Sequence, residues 1–83
     1  MKVKGVEIPQ AVQDAAVAFM KAEHSLTTFK VQGLVARLMS MKHGDEVAMR
    51  VADRLMQRER KAGNIGPSDS TRARSHYWKW IGK

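Results

Sequence analysis

Arg50, Arg54, Gln57 and Lys61 recur at intervals of three and four residues, so on a helix they line one flank. Guanidinium and ammonium groups at that spacing offer charge-assisted donors to a row of anionic oxygens. A carboxamide beside them adds a donor and an acceptor. Arg72 and Arg74 supply two more guanidiniums in a later polar stretch. The chemistry these residues support is the recognition of a polyanion. Their context agrees. From Arg50 to Lys83, nine Lys/Arg stand against three acids, and Tyr77, Trp78 and Trp80 lie in the same segment. The first 49 residues hold six basic and five acidic residues, so most of the formal +7 sits in the last third. A nearly neutral front reads as scaffold, and a basic, aromatic back reads as a contact surface.

Bond-breaking chemistry finds little material here. There is no glycine-rich phosphate loop, no nucleophile elbow and no recognisable carboxylate pair, so an enzyme is not expected. Asp14, Glu23, Asp45, Glu46, Asp53, Glu59 and Asp69 read as helix-surface or capping residues. His24, His43 and His76 lack HxxxH spacing, and there is no cysteine, so neither a metal nor another cofactor is expected. The absence of cysteine also fits a reducing compartment. The N-terminus has no apolar h-region, and no apolar run approaches the ~18 residues a membrane helix needs. A cytoplasmic protein with no membrane partner is the expectation.

The elements that must position these residues can be read in order. The chain's 83 residues suit one small domain with a thin core. Val3, Val6 and Ile8 suggest an extended N-terminal arm over residues 1–8. Pro9 suits a helix's first turn. Val12, Ala15, Ala16, Phe19 and Ala22 then recur at helical spacing, with Gln13, Asp14 and Lys21 off the stripe. Leu26, between polar residues, fits a one- or two-residue bridge strand. Thr27 or Thr28 can cap a second helix. That helix carries Phe29, Val31, Leu34, Val35, Leu38, Met39 and Met41 over a wide arc, and is expected to be the most buried.

After the connection 41–44, Asp45 and Glu46 suit the start of a third helix, where acids complement the dipole. It should run to about Ala62, with Gly63 at the position where a glycine ends a helix. Val47, Val51, Leu55 and Ala62 share one face of it, flanked by Ala48 and Ala52. Met49, Asp53 and Arg60 point outward. Trp78 and Trp80 alternate with Tyr77, Lys79 and Ile81, which reads as a strand, and Ile65 would lie in its partner. The expected organisation is residues 1–8 as arm, 9–63 as three helices and 64–83 as a β-hairpin.

This ordered set resembles a winged helix-turn-helix domain. Its carriers are the first helix, Leu26-Thr-Thr entering the second, a tight turn, and Val47-x-x-x-Val51-x-x-x-Leu55 in the third. Gly63-Asn-Ile65 then leads into a hairpin whose returning strand is Tyr-Trp-Lys-Trp-Ile. The resemblance implies an α+β fold, mainly α: a three-helix winged helix-turn-helix with a C-terminal β-hairpin wing. It also implies a bacterial or phage-encoded factor in transcription or another transaction of double-stranded DNA. The third helix would lie in the major groove, where base edges are distinguishable. Arg50, Arg54 and Gln57 would address bases or phosphates, with Lys61 on the same flank. Thr28, Lys30, Lys42 and His43 would contact the backbone, and Arg72 and Arg74 would reach from the wing. Acidic Asp45 and Glu46 at the helix start shift the weight toward Arg50, Arg54 and the wing.

Two other readings stay open. One is a protein-interaction module docking on an acidic partner. The other is an RNA or single-strand binder using Tyr77, Trp78 and Trp80. A tryptophan pair in so small a chain more often closes the core. Winged helices often pair as homodimers, but no dimerisation segment stands out.

Overall fold

Gly5 lies between Val3 and Val6, and that is where the chain first reverses. The computed structural model describes residues 1–23, 26–42, 44–67 and 78–82. Strand β1 (Lys2–Val3) pairs antiparallel with β2 (Val6–Glu7), with Lys2 opposite Glu7 and Val3 opposite Val6. Lys4 and Gly5 both adopt positive φ, 49° and 79°, the combination a type I′ hairpin turn needs. Residues 1–8 are therefore more than an extended arm. They form a hairpin that delivers Val3 and Ile8, each 1% exposed, into the core.

Helix α1 spans Gln10–Ala22, with Pro9 at its N-cap. Val12, Ala16 and Met20 are buried, but so is Gln13, which had been expected off the apolar stripe. Both ends of its amide are served. Nε2 donates to the Ile8 carbonyl at 3.1 Å, and Oε1 accepts from Arg58 Nη1 at 3.2 Å.

Helix α2 spans Thr28–Leu38. The Thr27 hydroxyl caps it by accepting from the Lys30 amide at 3.1 Å. It stops earlier than its apolar pattern suggested. Ser40 takes a left-handed φ of 56°, while Ser40 N–H bonds the Arg37 carbonyl and Met41 N–H bonds that of Ala36. This is a Schellman closure with serine in the glycine position. Nor is α2 the most buried helix. It buries Val31, Val35 and Ala36, and leaves Phe29 and Leu38 exposed.

Helix α3 (Glu46–Lys61) buries more: Ala48, Val51, Ala52, Leu55, Met56 and Glu59. Asp45 Oδ1 caps it through the Val47 amide at 2.8 Å. Gly63, at φ 79°, ends it in a second Schellman closure. Ala62 is exposed and does not share the core face with Val51 and Leu55. The reason is its position at the C-cap, where the chain is already leaving the helix.

Strand β3 (Ile65–Pro67) then pairs antiparallel with β4 (Trp78–Trp80). Leu26 lies on the other edge of β4, exchanging both backbone hydrogen bonds with Trp78 at 2.7 and 2.8 Å. The described residues thus make an α+β fold, mainly helical: three helices and two small antiparallel strand pairs. The core runs continuously from Val3 and Ile8 through the helices to Ile65, with Trp78 and Trp80 packed half-buried against it. Among the described residues, no helix is long and apolar enough to cross a membrane.

Candidate nucleic-acid interface

Once α3 has buried its apolar face, its other face must be solvated. Met49, Arg50, Asp53, Arg54, Gln57, Arg60 and Lys61 are all exposed. Each hairpin touches one flank of this face. On the first flank, the N-terminal hairpin lies beside Arg50 and Arg54. Arg54 Nη1 donates to the Lys2 carbonyl at 3.3 Å. Lys4 Nζ pairs with Glu46 Oε2 at 2.7 Å, and Arg50 reaches Glu46 Oε1 through Nε and Nη2 at 3.3 and 3.2 Å. On the second flank, the Arg60 guanidinium lies over the Trp78 ring, 5.3 Å from its centroid. Arg60 had been expected simply to point outward; it also covers the Trp78 ring of β4.

The acidic start of α3 is thus partly neutralised. The Lys4 ammonium, then the Arg50 guanidinium, hold the Glu46 carboxyl below its ordinary range. Sequence spacing showed Glu46 and Arg50 one turn apart. It gave no sign of Lys4, which arrives by packing.

Thr28 stands half-buried between two depressions. With Lys4, Arg50, Asp53 and Arg54 it lines an open groove of about 480 Å³. With Asp53, Gln57, Arg60 and Trp78 it lines a smaller cleft on the second flank. Lys61 borders a third depression with Arg54 and Gln57. The structure therefore brings Thr28, Arg50, Arg54, Gln57 and Lys61 to one surface. Lys30 is directed elsewhere. Its ammonium pairs with Glu23 at 3.2 Å, and its amide is already bonded to the Thr27 hydroxyl. Lys42 is exposed in the connection before α3. His43, Arg72 and Arg74 lie outside the described residues.

Glu59 is not the surface carboxylate the sequence suggested. It is buried, with Oε2 accepting from Arg58 Nε at 2.8 Å and Oε1 from Asn64 Nδ2 at 3.0 Å. Arg58 is half-exposed and bridges Glu59 to Gln13. Asn64 in turn accepts the Ile81 and Gly82 amides on its carbonyl at 2.7 and 3.0 Å. This polar hub ties the end of α3 to the exit of β4. The one available signal was an acid facing a Gly-Asn helix stop.

No protein-family model, curated protein or solved structure matches this chain.

Proposed function

We propose that this chain is a small DNA-binding protein of the winged helix-turn-helix kind, reading duplex DNA with the exposed face of α3. The observation that carries the reading is that face itself. Arg50, Arg54, Gln57 and Lys61 share one solvated surface of α3, with Thr28 at its edge and a β-hairpin at each flank. A helix presented in this way fits the major groove, and long cationic side chains on it can reach base edges or phosphates. Leu26, expected as a one- or two-residue bridge strand, pairs with β4. Arg72 and Arg74 fall between β3 and β4 in the chain, where a wing would carry them.

The single-strand reading has less support. Trp78 and Trp80 pack against the core, and each ring carries a cation, Arg60 at 5.3 Å and Lys21 at 5.2 Å. Stacking on bases would have to displace both.

The test is a titration of duplex against single-stranded DNA across a range of salt. Duplex should bind more tightly, with affinity falling steeply as salt rises. Arg54→Ala, and separately Arg72→Ala with Arg74→Ala, should each weaken duplex binding about tenfold without changing the far-UV circular dichroism. Unchanged affinity in both variants at moderate salt would sink the proposal. Negligible duplex binding by the wild type would favour an acidic protein partner instead.

A further inference from the structure

We propose that the N-terminal hairpin is a second nucleic-acid contact, its Lys2 and Lys4 meeting the DNA backbone along the Arg54 flank of α3. This assignment rests on the DNA-binding reading of α3. It adds an element that the sequence pattern left as an arm and that lies on the flank away from Trp78.

Three observations carry it. First, the hairpin is fixed relative to α3. Val3 and Ile8 anchor it in the core, and Arg54 donates to the Lys2 carbonyl at 3.3 Å. A cation on this hairpin therefore keeps a set position beside Arg50 and Arg54. Second, pleating sends Val3 inward and Lys2 outward, and the turn leaves Lys4 exposed at its tip. Third, the acids nearby are outnumbered, and two of them are already engaged. Glu7, cross-strand from Lys2, is met by the terminal ammonium at 3.7 Å. Glu46 is shared between Lys4 at 2.7 Å and Arg50 at 3.2 Å. Glu46 and Asp53 against Lys2, Lys4, Arg50 and Arg54 still leave this flank net cationic. An ammonium has three donors, so Lys4 can keep Glu46 and still offer a proton to a phosphate oxygen.

The geometry suits a duplex in particular. A helix in the major groove has a phosphate backbone on either side. The C-terminal hairpin serves one flank of α3, and the N-terminal hairpin stands where the other backbone would pass. Contacts of this kind position the protein and carry no sequence information. Their loss should therefore weaken binding to every sequence alike.

The experiment uses the full chain, a labelled mixed-sequence duplex of about 20 base pairs, and anisotropy titrations from ~50 to ~250 mM NaCl. The variant is Lys2→Gln with Lys4→Asn, asparagine being chosen because it tolerates the positive φ at position 4. Each lost phosphate contact removes about one from the slope of log affinity against log salt, so the double variant should lose about two. Its affinity near 0.15 M should fall about tenfold. Lys2→Arg with Lys4→Arg should restore both slope and affinity, which a loss of fold in the first variant would not explain. If the wild type binds duplex and the Gln/Asn variant keeps its slope and affinity, the hairpin assignment is wrong while the α3 reading stands. If the wild type binds no duplex, both fall.

Discussion

The Glu59 carboxylate sits buried at the end of α3 between the Arg58 guanidinium and the Asn64 amide. Burial is the largest single influence on it, and burial raises a carboxyl's pKa. The hydrogen bonds from Arg58 and Asn64, with the charges of Arg58 and Lys21, together outweigh that and bring it below its ordinary value near 4.5. A carboxyl with a lowered folded-state pKa stabilises the fold while ionised. That contribution is fully present above the unfolded-state value and is lost as pH falls through the folded one. Glu59→Gln keeps the shape and removes the charge. It should cost about 1–2 kcal/mol at pH 7, the range for a charge-assisted hydrogen bond, discounted because Arg58 is half-exposed. Urea denaturation of both proteins from pH 7 to pH 3 should show the gap closing below about pH 4.5. A gap independent of pH would mean that the charge contributes nothing.

At the scale of elements, the two helix ends that carry positive φ invite comparison. Gly63 closes α3 at 79° with a residue that has no Cβ to strain. Ser40 closes α2 at 56° through the same pair of backbone hydrogen bonds, and a serine there costs about 1–2 kcal/mol. Ser40→Gly relieves that strain and loosens the unfolded chain by somewhat less, for a net gain of about 0.5 kcal/mol. A thermal melt should rise by about 2–4 °C, and Ser40→Val should lower it. A fall in the glycine variant would mean that the serine hydroxyl contributes more than its strain costs. The same pair explains what the sequence could and could not reveal. Thr27, Asp45 and Gly63 are ordinary start and stop residues, and they mark the start of α2 and both ends of α3 correctly. Ser40 is not an ordinary stop, and Met39 and Met41 carry the apolar pattern past it, so the end of α2 was hidden. The first hairpin was hidden for another reason. Strands of two residues have no period to detect, and only Gly5 between two valines hinted at a turn. The surface on α3 was half legible. Arg50, Arg54 and Gln57 follow from local spacing, whereas Lys4 reaches Glu46 only because the tertiary fold places it there. The engagement of the Lys30 amide and ammonium likewise depends on capping and on the α1–α2 approach.

For the whole molecule, the consequence of a thin core is that distant segments must share it. Among the described residues, Ile8 and Val3 belong with Met20, Leu26, Leu55, Val31, Val35 and Val51 as the largest side chains fully removed from solvent. A domain of this size holds only a few kcal/mol of net stability, so no segment contributing such residues is dispensable. Leu26 joins β4 to the start of α2 by two backbone hydrogen bonds, and Asn64 joins the end of α3 to the residues after β4. The tryptophans therefore report on the same core that Ile8 fills, although some seventy residues separate them in the chain. Ile8→Ala removes a buried aliphatic side chain at a cost of about 2–4 kcal/mol, a large part of the total. If the core is one cooperative unit, the Ile8→Ala variant should melt at a much lower temperature, with far-UV circular dichroism and tryptophan fluorescence shifting together. A variant in which the helical signal falls early while the fluorescence midpoint stays at the wild-type temperature would instead mean that the C-terminal hairpin and the helices holding it fold without the N-terminal one. In that case the first hairpin would be an appended element rather than part of the core.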